Sequence, residues 1–505
     1  MLIIPLLWIS CHKAETRLES YHADLAVGFE HLPDSTKPWV YWYWISDHIS
    51  KDGISRDLEL MDSLGIGTAL IGNVYLGNIV RGKIPVLSDN WYEHLQFAIS
   101  EGARLGVDIG VFNGPGWVQS GGPWIDSTKC MHYLICKDTM VDTGFQLNRS
   151  SLGSMQGQPV ALFAYPGKSI LDQPVPNSVQ GSFLDKSVKN LFDGRTDTKY
   201  AFPKGEMENR DLVIDFSYSN SISARSIKLI PGAEPFYVAF DLEVWKGNKF
   251  VNVCSGSIDR SNQMLTVGPR MFAPVIKAFA EVSGKKWRIR FRDLNKNKVW
   301  FTDVKRNGSL KEVILSGDEK LEGYVEKQLG KMHQLPGPDW KAYQWSEQVD
   351  YVDSTSHVNP ETFLDLSGLL NDDAKTWTAP PGNWHIYQLS MVPTGVTNAP
   401  VAPEAQGFDV DKMQRRYVFD HFDHYIDPLL NRLSTQEKPA LKYLVIDSYE
   451  TGSQNWTDGL QGRFLEIYGY DPLPWLPVIN GDIVGSPDLS DRFLWDLRRL
   501  IADEI

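Results

Sequence analysis

The run Val40-Tyr41-Trp42-Tyr43-Trp44-Ile45 decides how the first part of the chain is read. Six β-branched or aromatic residues in succession make a buried strand. Immediately afterwards Ile54, Leu58, Met61 and Leu64 recur at helical spacing, and Gly65 ends that helix. Ile66 to Ile71 is the next strand. Ser88-Asp89 is a capping pair for a second helix, which carries Trp91, Leu95 and Ala98 on one face, and Val107 to Phe112 is a third strand. Strands separated by helices of this length predict a parallel sheet.

Beyond about Val141 the texture changes. Leu212 to Phe216, Ala224 to Leu229, Phe240 to Trp245 and Trp287 to Phe291 are strand-like, with Gly, Asn and Ser between them. The preceding segment Asn190-Leu-Phe-Asp-Gly-Arg-Thr-Asp-Thr198 resembles the opening of galactose-binding-like (discoidin-type) β-sandwiches. Residues 150–350 therefore read as an inserted sandwich, either a carbohydrate binder or packing support. The β/α alternation is expected to resume at Trp384 to Val392, a strand opening into the loop Pro393 to Gly407. A long helix follows, with Phe422, Tyr425, Ile426, Leu429, Leu430 and Leu433 on its apolar stripe. Leu441 to Ile446 is another buried strand, running directly into Asp447-Ser448-Tyr449-Glu450, and helical patterns recur at Leu460 to Tyr468 and Asp491 to Ile505. The expected order is thus signal and linker (1–20), first part of a β/α-barrel (21–149), sandwich (150–350) and continuation of the barrel (351–505). A closed barrel of this type has eight strands and about five are recognisable, so the chain reads as an incomplete barrel, with an open sheet as the competing architecture.

Composition narrows the function classes. Hydrophobic residues make up 42% and charged residues 22%, as in folded globular proteins. The net charge of -13, without a Lys/Arg cluster, argues against a nucleic-acid partner. The 17 Trp and 20 Tyr serve packing, and they also favour a glycan partner, because flat rings stack on the C–H faces of sugars. Leu2 to Ile9 is a short apolar run followed by Ser10-Cys11, the layout of a bacterial lipoprotein signal in which Cys11 is lipidated. That predicts a protein anchored at the bacterial cell envelope, meeting the membrane only through its lipid. Cys130, Cys136 and Cys254 have neither metal-ligand nor redox spacing.

In β/α-barrels chemistry sits on the loops after the strands. Asn113-Gly114-Pro115-Gly116-Trp117 and Gly121-Gly122-Pro123-Trp124 follow the third strand, with glycines that let backbone approach a ligand and two Trp as stacking faces. A structural turn with packed Trp fits the same residues. Glu404 is the one charge in the stiff loop Pro400-Val-Ala-Pro-Glu404-Ala-Gln-Gly407, either a ligand group or an exposed, inert side chain. Asp447 and Glu450 close a strand whose end should be dry. Desolvation and a neighbouring negative charge raise a carboxyl pKa, which suits a general acid for glycoside cleavage. Asn455-Trp456 on the following loop is a further sugar-binding candidate.

These clusters resemble glycoside hydrolase family 106 in order and spacing: Pro38-Trp39 to Trp44, Gly53-Ile54 with Asp57-Leu58, the two Gly/Pro/Trp loops, Pro380-Pro381-Gly382-Asn383-Trp384, Pro403-Glu404-Ala405, Asp411-Lys412, Asp447 to Glu450 and Asn455-Trp456-Thr457. The resemblance spans about 38–500 apart from the sandwich. It implies a β/α-barrel α-L-rhamnosidase that hydrolyses terminal α-L-rhamnose with inversion, assisted by calcium. By resemblance Glu450 is the catalytic acid, with Asp447 beside it; Trp44, Asn113, Trp117, Trp124, Glu404, Asn455 and Trp456 are the candidate substrate contacts. Asp447, Glu404 and Asn113 are the expected calcium ligands. Inversion needs a second carboxylate to activate water. No position before Ile505 matches the family's base, which leaves a fragment lacking it or a substitute such as Glu404. A non-catalytic surface glycan-binding lipoprotein, or an inactive fragment of such an enzyme, is the alternative reading.

Overall fold

The computed structural model describes residues 25, 27–30, 36–117, 119–153, 155–167, 175–183, 185–208, 210–261, 270–296, 307–329, 348, 356–447 and 452–505. The expected lipoprotein signal with Cys11, and the segment Ser448-Tyr449-Glu450, lie outside these residues. The described residues group into two compact units, one from those within 1–126, 397–410 and 418–449, the other from those within 127–396, 411–417 and 450–505.

The first unit is built on a parallel sheet in the order Trp39–Ile45, Thr68–Val74, Asp108–Phe112, Leu441–Val445. Helices Lys51–Ser63 and Asp89–Leu105 connect the first three strands. Ser50 and Ser88 cap them by accepting from the Gly53 and Trp91 amides, so the expected cap at Ser88 is formed. Trp42, Trp44, Ala69, Ile71, Ile109 and Val111 point to one face and share a core with Ile54, Leu58, Trp91, Leu95 and Ala98 from the helices. On the opposite face Trp39, Tyr41 and Tyr43 are exposed. Gly72 and Gly110 make room for the rings there, since a Cβ on Gly72 would lie 3.0 Å from the Tyr43 ring and one on Gly110 3.0 Å from Tyr443 Cβ. Two expectations need correcting. The strand ending at Ile446 is not dry, because it is the sheet edge among the described residues and Ile446 is 60% exposed. The long helix is broken into Arg415–Tyr425 and Asp427–Leu430, where Pro428 removes a backbone donor.

Among the described residues the second unit contains a seven-stranded antiparallel sheet, whose long strands Leu212–Pro231 and Val275–Arg292 pair along three segments separated by two register shifts. Both halves of the Leu212–Pro231 strand contribute to one core, Leu212, Ile214 and Phe216 from one and Ala224, Ile227 and Leu229 from the other. The sheet thus folds over a single interior. A further antiparallel sheet has the order Leu364–Asp365, Gln158–Gly167, Asn383–Pro393, His132–Val141. The Trp384–Val392 run is therefore not a strand of the parallel sheet, as the alternation predicts. It is the middle strand here, paired on both sides, and a central antiparallel strand buried on both faces shows the same continuous apolar run. Helix Pro487–Glu504 buries Phe493, Leu494, Leu497, Leu500 and Ile501 in the core of this unit.

Candidate active site

The parallel strands of the first unit end together, and their last residues and following loops form the polar edge. Val445 pairs with Phe112, and the Asn113 amide donates to the Val445 carbonyl at 3.0 Å. This register places Asn113 beside the strand end that leads into Asp447. The Asn113 side chain is buried. Its Nδ2 donates to the Gln119 carbonyl at 2.9 Å, and its Oδ1 has no hydrogen-bond partner among the described residues. Gln119 Nε2 in turn donates to the Asp447 carbonyl at 2.8 Å, and the Tyr41 hydroxyl lies 3.5 Å from Asp447 Oδ2. Asp447 itself is exposed. Beside it the Tyr41 and Tyr43 rings stack with centroids 5.6 Å apart, and Trp117, 46% exposed, lies 6.0 Å from Tyr43. Burial, then the neighbouring Tyr41 and Asp447, push the Tyr43 phenol above its ordinary value, so it stays a neutral donor. The edge therefore offers flat apolar rings, a carboxylate and fixed amides, the inventory of a sugar site.

Other expected residues sit differently. Trp44 is buried edge-on to Trp42 in the layer beneath the helices, so it packs the core. Trp124 stacks on His424 and Tyr425, and its indole N–H donates to His421 Nδ1, so these residues hold the ring in place. Glu404 reaches the surface but is ion-paired with Arg81, which also holds Asp47. In the second unit, Asn455 is fully committed. Its Oδ1 accepts from the Leu134 amide at 2.8 Å, and its Nδ2 donates to Gln328 Oε1 at 3.1 Å. Trp456 is 4% exposed and part of the core. These two are corrections: they hold the loop in place by packing and hydrogen bonding, not by binding sugar.

Next to them Asp411 is buried and accepts from Gln454 Nε2 at 2.7 Å, from the Met413 amide at 3.0 Å and from the Thr457 hydroxyl. Burial outweighs these bonds and holds its carboxyl above the ordinary aspartate range. Among the described residues no group of three or more His, Cys, Asp or Glu side chains is disposed to hold a metal ion. With Glu404 taken up by Arg81, the described donors alone do not fit the expected calcium site. Gln119, Tyr41, Tyr43, Arg81 and His421 were not singled out by the sequence. Only the alternation along Trp39–Ile45 carried a signal for the two tyrosines, and it was hidden because both faces are aromatic.

Comparison with known proteins places the chain among the glycoside hydrolases. The profile of glycoside hydrolase family 106, described as alpha-L-rhamnosidase, matches residues 30–505, and the chain belongs to that family. A curated Formosa agariphila protein, whose name gives beta-glucuronidase as a provisional activity, is 26% identical over 502 residues, which is 99% of this chain and 30% of that protein. The structure of a rhamnosidase from Novosphingobium sp. PP1Y superposes with a TM-score of 0.76 at 26% identity, over 95% of this chain and 45% of that chain. The chain thus spans less than half the length of either relative.

Proposed function

We propose that the protein is an inverting α-L-rhamnosidase that removes terminal α-L-rhamnose from plant polysaccharides or glycosides, with Glu450 as general acid. The junction of Asn113 and Asp447 at the ends of two adjacent parallel strands, next to the exposed Tyr41, Tyr43 and Trp117 rings, carries this reading. Family membership and the likeness to the Novosphingobium rhamnosidase support it. In this reading the sugar lies against the rings, and Glu450, three residues beyond Asp447, protonates the leaving oxygen. The charge of Asp447 favours the protonated form of that acid. A second carboxylate about 6.5–9.5 Å away activates water on the opposite face of the ring. In this reading the four parallel strands belong to a β/α-barrel, whose inward residues would include the exposed aromatic face.

The test is hydrolysis of an aryl α-L-rhamnoside by the full-length protein, with the configuration of released rhamnose followed by NMR. Glu450→Gln is expected to lower kcat by about 10²–10⁴, less so with a leaving group that needs no protonation. Undiminished activity in Glu450→Gln refutes the acid assignment, and a retained anomeric configuration refutes inversion. At the other end of the chain we assign Cys11 as a lipidation site at the bacterial envelope. Incorporation of radiolabelled palmitate that persists in Cys11→Ser refutes that assignment.

A further inference from the structure

We propose that His421, held as the neutral Nε2–H tautomer, is a positioning residue that orients Asn113 at the strand edge. The inference rests on the reading of that edge as the sugar site. His421 is fully buried in the Arg415–Tyr425 helix. Its Nδ1 lies 3.0 Å from Trp124 Nε1, and its Nε2 lies 2.6 Å from the Asn113 carbonyl oxygen. An indole N–H only donates and a carbonyl only accepts. Nδ1 must therefore carry the lone pair and Nε2 the proton, which leaves one neutral tautomer. A proton on Nδ1 would set two donors against each other. The ring cannot swing free, because it lies between Trp124 at 5.6 Å and Tyr425 at 6.1 Å.

The consequence is felt at Asn113. Its carbonyl is fixed by His421, its amide by Val445 and its Nδ2 by the Gln119 carbonyl. With those groups taken, the Asn113 side chain has one orientation, and Gln119 passes it on to the backbone at Asp447. The buried Oδ1, unpartnered among the described residues, is an acceptor held in a set direction. Leaving such an atom unpaired costs about 1–3 kcal/mol, and the surrounding bonds keep it from turning toward a partner. The sequence offers His421 only as one polar residue on a helix, so its role comes from the fold.

Two substitutions separate positioning from packing. His421→Gln keeps a donor near the Nε2 position. His421→Asn keeps an acceptor near Nδ1 but loses the donor to Asn113. Rhamnoside turnover in His421→Gln is expected within about threefold of wild type, whereas His421→Asn loses roughly 10- to 100-fold in kcat/KM, the penalty of a misplaced site group. Hydrogen exchange of the 108–120 peptide is read in parallel, independently of activity. It is expected to accelerate in His421→Asn and to stay at the wild-type rate in His421→Gln. Equal exchange in the two variants, or equal loss of turnover, overturns the assignment. Should wild type fail to cleave any rhamnoside while the exchange difference is present, the proposed activity falls and the positioning of Asn113 by His421 stands.

Discussion

Glu312 makes the stability of the second unit fall as pH rises through neutrality. It lies on the Ser309–Ser316 strand and is 5% exposed. One oxygen accepts from the Gly194 amide at 3.2 Å, and the other is buried with no hydrogen bond among the described residues. Burial, helped by the nearby Asp193 charge, pushes the carboxyl from 4.5 to about 7. A carboxyl whose folded pKa lies above its unfolded value binds its proton more tightly when folded. The stability it contributes is therefore fully present below 4.5 and is lost as pH rises through about 7. A rise from 4.5 to about 7, at 1.36 kcal/mol per unit, corresponds to about 3 kcal/mol. Glu312→Gln removes the titration while keeping the shape. The assay is urea unfolding of both proteins from pH 4.5 to 8.5, with hydrogen exchange of 309–316 marking the transition of this unit. The wild type is expected to lose about 3 kcal/mol relative to Glu312→Gln across that range. Parallel curves for the two proteins refute the reasoning, because every other titrating group is common to both.

Other substitutions test the packing and the loop anchor. Gly110→Ala places a Cβ 2.5 Å from Leu70 Cδ2, and the overpacking should cost about 1–3 kcal/mol in a thermal melt; a Tm equal to wild type refutes the crowding. Trp456→Ala should cost about 3–5 kcal/mol as a core truncation, whereas Trp117→Ala should leave Tm nearly unchanged and raise KM; the opposite ranking in melting refutes the placement of these rings. Asp411→Ala strands the donors of Gln454, Met413 and Thr457 at about 1–3 kcal/mol each, so Asp411→Asn should be clearly the milder change by Tm. Comparable losses in the two variants refute that anchor.

The β/α order of the first unit was legible because each element has its own punctuation. Ser88 closes a helix start, Gly65 lies just past a helix end, and the apolar spacing switches from strand to helix between Ile45 and Ile54. The Asn383–Pro393 strand was legible as a strand, but its antiparallel pairing was not, since a hydropathy run records burial and not the direction of the neighbours. Tryptophan misled for a related reason. Trp117 and Trp456 both follow loop glycines, yet one is half in solvent and the other is in a core. A large ring with one polar atom suits either place. Asn455 similarly reads as a sugar-binding amide, but Leu134 N and Gln328 claim both of its ends through contacts more than a hundred residues away in sequence.

The same strand that decided the fold also shows why the site edge was only half visible. Along Trp39–Ile45 the side chains alternate between a face packed under two helices and a face carrying Trp39, Tyr41 and Tyr43. A strand with one wet face would normally alternate polar with apolar. Here both faces are aromatic, and the exposed rings pack against the buried Phe112 and the half-buried Tyr443 on other strands of the sheet, with Trp39 and Tyr443 only 4.3 Å apart. Gly72 and Gly110 are small at the positions where those rings need space. A surface made for water has no use for glycines placed to seat rings. The face is shaped for close packing or for a flat ligand, and the proposed barrel interior with a sugar at its mouth would call for both.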